Sequence, residues 1–262
     1  MSEPPEWGRR LYEARRERVP IPPISETDPT ITTADAYAIQ QELVALLAKD
    51  GGTVVGYKLG LTSKPMQDLF GVDQPDYGPV LSTMVFDDGA TLPTGSYIQP
   101  KAEAEIALTL ERPLRGPGVG LEEAAAAIGG ARAAIEVVDS RIRDWKITLV
   151  DTIADLASSA AIVLGSELVP VRGWAPRLVG MVVEHNGEPR ATAAGAAALG
   201  DPVAAVAWLA NTLAPFGVTL EPGQFVMTGA LHAAFGVSGG DVVRAEFDRL
   251  GAVTARFEGV HQ

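Results

Sequence analysis

Carboxylates set into apolar strands are the feature that most restricts what this chain can fold into. Glu103 and Glu105 lie in Pro100-Lys-Ala-Glu-Ala-Glu-Ile-Ala-Leu-Thr-Leu110. The segment reads as a strand, and residues i and i+2 of a strand face the same way, so the two side chains project together. The residues after Glu105 are largely apolar, as expected of a strand entering a core. A third carboxylate, Glu136, interrupts Ala-Ala-Ile-Glu-Val-Val-Asp139 with no basic residue nearer than Arg132, and this segment also reads as a strand. Carboxylates held close in such surroundings repel each other and lose hydration, which is costly unless a proton or cation compensates. An oxygen-only set of this kind suits a hard divalent ion, Mg²⁺ or Mn²⁺. Glu-x-Glu alone also fits a solvated strand face; Glu136, in its apolar stretch, shifts the balance toward a metal site.

The rest of the chain bounds the alternatives. Its 262 residues allow one large domain or two small ones with a sizeable core. A net charge of −12 argues against nucleic acid and anionic membranes as partners, because both call for a basic surface. With no cysteine there is no disulfide, thiolate metal site or cysteine nucleophile, which fits a reducing compartment. Met1-Ser-Glu-Pro-Pro-Glu-Trp-Gly-Arg9 lacks the apolar core of a signal peptide. No stretch reads as membrane-spanning, and the Ala-rich Leu121–Ile135 reads as a helix and turn. The expectation is a cytoplasmic enzyme. Three scattered histidines without a Ser/His/Asp pattern speak against a triad hydrolase, and His185 and His261 are expected to be exposed.

Residues 9–18 read as a charged amphipathic helix, followed by a linker at Pro20, Pro22 and Pro23. Thr32 and Asp35 resemble a capping box opening a second helix, with Ala36, Ile39, Leu43 and Leu47 as its apolar stripe. Asp50-Gly-Gly52 stops it. Val54–Leu61 reads as a strand, Lys64–Leu69 as a short helix and Asp73–Pro79 as a loop. Asn186-Gly187-Glu188 signals a hairpin between Leu178–His185 and Pro189–Ala194. Asp201-Pro202 opens a helix to about Leu213. Gln224–Thr228, Val242–Phe247 and Ala252–Phe257 read as strands. The predicted class is α+β. Residues 1–80 form a small N-terminal region, in which the helix carrying Ala36, Tyr37 and Gln40 is expected to act as a lid. Residues 81–262 form a larger mixed-β domain.

Several segments acquire meaning together. Gly56-Tyr-Lys-Leu-Gly-Leu-Thr-Ser63 precedes Gly71-Val-Asp-Gln-Pro-Asp-Tyr-Gly78. Pro100-Lys-Ala-Glu-Ala-Glu-Ile106, Ile135-Glu-Val-Val-Asp-Ser-Arg-Ile-Arg-Asp-Trp145, Val150-Asp-Thr-Ile-Ala-Asp155 and Ala157-Ser-Ser159 follow. From about Thr33 to Phe257 this order resembles the 2-hydroxypenta-2,4-dienoate (2-keto-4-pentenoate) hydratases and the 4-oxalocrotonate decarboxylases of the fumarylacetoacetate hydrolase superfamily. The resemblance implies a distorted barrel-like β core and makes Glu103, Glu105 and Glu136 the metal ligands. It matches Lys58 to the active-site lysine and Asp76 to the acidic residue near it. Lys101, Ser158 and Thr228 are expected at the substrate. Leu156 stands where the family usually has asparagine, and Lys101 where many hydratases have arginine. Lysine meets a carboxylate as a point charge rather than a fork. Without the pattern, Lys58 reads as a surface lysine, Asp76 as a turn residue and Ser158 as a cap. The Ser140–Trp145 run reads as a structural ion-pair cluster, Tyr57 and Trp145 as packing residues, and His232 as bland.

The implied substrate is a small anionic 2-hydroxy-2,4-dienoate or its 2-oxo tautomer. Protonation at the far end of the dienol, then addition of water at C4 with the C2 oxygen as electron sink, gives a 4-hydroxy-2-oxoacid. Decarboxylation of 4-oxalocrotonate uses the same sink, so the ligands do not separate the two. The wording of the motifs lies closer to the hydratases. Two further classes stay open: a C–C hydrolase of acylpyruvate-type substrates and a non-catalytic partner subunit. Retention of Lys58 and all three glutamates argues against the latter. The resemblance also implies a homo-oligomer and association with a pathway partner enzyme.

Overall fold

The computed structural model describes residues 3–259, so His261 lies outside the described residues. Seven helices occur among them: α1 (Pro4–Glu17), α2 (Ile24–Thr27), α3 (Thr33–Lys49), α4 (Lys64–Phe70), α5 (Leu121–Ala127), α6 (Leu149–Ala154) and α7 (Pro202–Leu213). The strands are β1 (Val54–Gly60), β2 (Asp76–Leu81), β3 (Val85–Asp87), β4 (Thr91–Leu92), β5 (Lys101–Leu110), β6 (Ile128–Val138) and β7 (Ser159–Leu164). They continue with β8 (Val169–Pro170), β9 (Gly180–His185), β10 (Glu188–Ala194), β11 (Phe225–Met227), β12 (Phe235–Gly236), β13 (Val242–Phe247) and β14 (Gly251–Phe257).

Local chemistry explains many boundaries. The Thr32–Asp35 capping box forms: Asp35 N–H donates to Thr32 Oγ1 at 3.2 Å, and Thr32 N–H to Asp35 Oδ2 at 2.9 Å. Asp201 caps α7 by accepting from Val203 N–H at 3.0 Å. Asn186 and Gly187 take φ of 56° and 84°, the paired positive values that a two-residue hairpin turn requires. Three expectations are corrected. The first helix starts at Pro4, before residue 9, because Pro at its first turn is tolerated there. Residues 76–79, read as loop, belong to β2, whose backbone pairs with β1. The Ala-rich segment is helical only to Ala127; Ile128 begins β6, and Gly129-Gly130 continue the strand instead of turning. The reason is tertiary: a Cβ at Gly130 would sit 2.8 Å from the Leu168 side chain.

One sheet has nine strands in the path β2-β1-β11-β5-β6-β7-β3, with β12 added to β5 and β8 to β6. It curls into a half-barrel, as the barrel-like expectation requires. The other sheet runs β10-β9-β13-β14-β4. The inner core lies between them and α7, with Ile106, Leu108, Ala133 and Ile135 meeting Val183, Val243, Val253 and Leu209. A second cluster packs the N-terminal helices on the opposite face of the large sheet. Trp7, Leu11, Ile39 and Leu43 lie there with Ala107, Ala134, Phe225 and Met227. The division expected at residue 80 falls inside β2, and the sheet is continuous on either side. Gly195–Phe216, contrary to expectation, is long and apolar enough for a membrane span, but it contains α7 and half of it is buried in the core. His185 is half-buried and pairs with Asp241 at 3.1 Å.

The N-terminal helices are an integral layer. α1 crosses α3 at Gly8, where a Cβ would lie 2.7 Å from Glu42 Cβ. Arg15 donates to Ala160 O at 3.1 Å. Trp7 is fully buried, so Trp7→Ala is expected to cost about 3–5 kcal/mol by urea unfolding. A cost well under 1 kcal/mol would show that α1 lies outside the cooperative unit.

Candidate active site

The site is assembled by strand register. Glu103 on β5 stands directly opposite Glu136 on β6, and Glu105 opposite Ala134. On β1, Lys58 is paired with Met227 of β11 and Gly78 of β2, while Gly60 is paired with Asp76. Cross-strand partners share a face, and side chains alternate along a strand. Lys58, Asp76, Glu103, Glu105 and Glu136 therefore all project from the same face of the large sheet, the one that also carries Ala107, Ala134 and Met227. One oxygen from each of Glu103, Glu105 and Glu136 lies within 4.8 Å of the others.

Like charges directly opposite destabilise a sheet, and these are buried: Glu105 and Glu136 are inaccessible to solvent. Gly229 N–H donates to Glu105 Oε2 at 2.9 Å, while Glu105 Oε1 and both Glu136 oxygens have no hydrogen-bond partner. Buried carboxylate oxygens left without donors are what a divalent cation would satisfy. Burial, then Glu136, pushes the Glu103 carboxyl up to about 7, against the pull of Lys58 and Lys101. Burial, followed by Glu136 and Glu103, raises Glu105 well above the ordinary range.

Lys58 is the cation the protein itself supplies. It is buried, donates to Ala157 O at 2.8 Å and lies 3.4 Å from Glu136 Oε2. Burial favours its neutral form, but Glu136, Asp76, Glu103 and Glu105 together outweigh burial and raise its pKa. The amine is thus protonated at neutral pH. Asp76 is buried with both carboxylate oxygens free of hydrogen bonds; burial raises its pKa and Lys58 opposes the rise. Gly60 has to be glycine here, since a Cβ would collide with the Asp76 carboxylate.

The acceptor for Lys58 comes from a strained turn. Leu156, Ala157 and Ser158 have φ of 56°, 50° and 59°, left-handed values that cost roughly 1 kcal/mol or more per non-glycine residue. Packing enforces them. Leu156 is fully buried, and Asp155 before it is ion-paired to buried Arg141. Arg141 also donates to Asp155 O at 2.8 Å and Ser159 O at 3.2 Å. The ion-pair reading of the Ser140–Trp145 run thus corresponds to a brace behind the site.

Over these groups opens a cavity of about 850 Å³, lined by Lys58, Asp76, Lys101, Glu103 and Ser158 among others. Lys101 Nζ lies 4.1 Å from the Trp145 ring centroid. Trp145, expected to pack, is a wall of the cavity instead, turned there by a positive φ of 54°. Thr228 departs from expectation: it is fully buried, and its hydroxyl donates to Ile106 O at 2.9 Å. That bond holds the turn at Gly229, whose φ of 108° no other residue adopts easily. His232, read as bland, lines the cavity, and its Nε2 accepts from Ala104 N–H at 2.9 Å, between the two glutamates of β5. Tyr57 packs in the core. No lining residue comes from α3: Ala36 is buried, and Gln40 donates to Tyr77 O and Ile153 O at 3.0 and 2.7 Å.

Residues 72–258 match the model of the fumarylacetoacetate (FAA) hydrolase C-terminal domain. The chain belongs to the fumarylacetoacetate hydrolase family. Within it, the chain is 45% identical over 248 residues to a 2-keto-4-pentenoate hydratase of Burkholderia vietnamiensis, covering 95% of each protein. It is 38% identical over 252 residues to the 2-hydroxyhexa-2,4-dienoate hydratase of Comamonas testosteroni, covering 95% of this chain and 96% of that one. The solved 4-oxalocrotonate decarboxylase of Pseudomonas putida G7, complexed with magnesium and adipate, superposes with a TM-score of 0.94 at 36% identity over 97% of both chains. A second structure of that decarboxylase holds calcium and acetate. The glutamate cluster of this family member thus fits a divalent cation by its own chemistry.

The raised carboxyls set a pH dependence. Below about 4.5 Glu103 is protonated whether folded or not, and between there and about 7 only the folded chain keeps the proton. The folded state binds more protons in that window, so this group's contribution to metal-free stability falls as pH rises through it and levels off above. A divalent ion has to displace the proton below about 7. Thermal unfolding with and without Mn²⁺ is expected to show a larger stabilisation at pH 8 than at pH 6. An equal shift at both pH values would count against the cluster as the ligand set.

Proposed function

We propose that the protein adds water to 2-hydroxypenta-2,4-dienoate, or to a longer 2-hydroxy-2,4-dienoate, giving a 4-hydroxy-2-oxoacid in the meta-cleavage degradation of aromatic compounds. The observation that carries this is a buried lysine 3.4 Å from one of three convergent glutamates, Lys58 and Glu103 of this group lining the cavity, in a chain whose relatives are dienoate hydratases. Glu103, Glu105 and Glu136 would hold Mg²⁺ or Mn²⁺. Bound there, the ion supplies Lewis-acid stabilisation of the charge that develops on the substrate's C2 oxygen. Residues 1–80 contribute Lys58 and Asp76, and residues 81–262 the glutamates, Lys101 and Ser158. Lys58 keeps a proton at Nζ for delivery to C5 of the dienol. Asp76, whose oxygens have no hydrogen bond of their own, takes the proton that water releases on adding at C4 and returns it to C3, while the proton that the C2 hydroxyl gives up on ketonisation restores the one Lys58 delivered. Lys101 meets the C1 carboxylate as a point charge. A homo-oligomer and a pathway partner belong to the same proposal, on family resemblance.

Decarboxylation of 4-oxalocrotonate is the second reading, favoured by the superposition on the decarboxylase. A paired assay decides between them: freshly generated 2-hydroxypenta-2,4-dienoate against 4-oxalocrotonate, with Mg²⁺, Mn²⁺ or EDTA, followed by ultraviolet absorbance and product mass. Metal-dependent water addition without CO₂ release is the expected outcome; CO₂ release alone would establish the decarboxylase. Lys58→Met is expected to lower kcat by about 10²–10⁴-fold with metal binding retained. Glu105→Gln should abolish metal-dependent turnover with the fold intact, and full activity in that variant would remove the ligand assignment.

A further inference from the structure

The cavity is lined by two chemically different groups of side chains. One group is Lys58, Asp76, Glu103 and Lys101, carried by the large sheet; the other, from the β1–α4 segment, includes the apolar side chains of Leu61, Met66, Leu69 and Phe70. Met66 and Leu69 are 41% and 74% exposed, although they are large hydrophobic side chains. A seven-residue helix that shows two such side chains at the mouth of a cavity leaves apolar surface for a ligand to cover. The space of about 850 Å³ lies within the roughly 300–1,000 Å³ range of pockets that take drug-sized molecules, far more than a five-carbon acid needs.

Charge is distributed just as unevenly. Among the described residues, Lys58 and Lys101 are the only lysine or arginine side chains that line the cavity. Lys58 is engaged by Ala157 O and Glu136. Lys101 shares a strand face with Glu103 and lies over Trp145. His232 offers no charge, because its Nε2 accepts from a backbone N–H and its Nδ1 faces Ala233 O at 2.8 Å. Lys64, the only basic residue of α4, is absent from the lining and pairs with Asp68 on the solvent side. A second carboxylate carried to the α4 segment would lie against apolar side chains and meet no cation. An alkyl tail there would gain about two- to fourfold in affinity per methylene covered.

We infer that the site selects substrates whose tail beyond C5 is uncharged and apolar, seated against Met66 and Leu69, and disfavours those that end in a second carboxylate. This deepens, and rests on, the hydratase reading. It distinguishes alkyl- or aryl-substituted dienoates from diacid ones such as 4-oxalocrotonate.

Saturated 2-oxo acids, which cannot be hydrated, test it by binding alone. Calorimetric titration of the Mn²⁺-loaded protein would compare 2-oxopentanoate, 2-oxohexanoate and 2-oxooctanoate with the diacids 2-oxoadipate and 2-oxosuberate. The expected result is a Kd that falls about two- to fourfold per methylene in the monoacid series, and diacids at least tenfold weaker than monoacids of equal length. A flat monoacid series, or a diacid that binds as tightly as its monoacid partner, overturns the inference. Leu69→Lys changes an exposed residue and is expected to narrow the gap between 2-oxosuberate and 2-oxooctanoate at least threefold. An unchanged gap overturns the assignment of the tail to α4. The two levels fail separately: no hydration of any dienoate with this ranking intact removes the hydratase reading alone, whereas hydration with a reversed ranking removes only the tail assignment.

Discussion

The pairing of β5 with β6 is the constraint on which the rest of the site depends. Glu103 faces Glu136 across that ladder, an arrangement a sheet tolerates only with compensation. The register is locked at the end nearest the site: Asp139, just past β6, accepts from Ile98 and Gln99 N–H at 3.0 and 2.7 Å, just before β5. A slip of one residue would turn every side chain of one strand to the other face. It would put Glu103 and Glu105 in the inner core and Ala102 and Ala104 in the cavity.

Around that ladder the protein stores unfavourable local geometry and holds it by packing. The left-handed run at Leu156–Ser158, the positive φ of Trp145 and that of Gly229 all touch the cavity or the glutamate cluster. Such strain persists where surroundings over-determine it, and it concentrates at functional sites. Here it has a readable product. It aims Ala157 O at Lys58, brings Trp145 under Lys101 and directs Gly229 N–H at Glu105. The Arg141–Asp155 pair is buried and hydrogen-bonded beyond its own contact. It acts as the brace for the turn rather than as chemistry.

Legibility varied residue by residue, for physical reasons. The three glutamates were visible because carboxylates in apolar strands require a partner. Lys58 and Asp76 were not visible from the residues alone, because a lysine between glycines and an aspartate after proline have ordinary readings; only the family pattern singled them out. Thr228 was legible as near the site but not in its role, since a hydroxyl's choice between substrate and a backbone carbonyl depends on β5 lying beside it. His232 and Trp145 were passed over because their positions depend on where one loop and one strained turn place them. Ala157 could not have been found, because it acts through its main-chain carbonyl and any residue carries one.

The sequence by itself determined the helix caps, the Asn186-Gly187 hairpin, the strand character of β5 and the need for a counter-charge at three glutamates. These follow from forces acting over a few residues: side-chain to backbone hydrogen bonds, turn preferences and alternation along a strand. The tertiary structure alone decided that β2 is a strand, that Gly129-Gly130 extend β6, and that α4 rather than α3 borders the cavity. It also decided that Lys58 is charged, because burial and four carboxylates from three other strands act on it in opposite directions. Their balance is a matter of distances that only the packed sheet sets.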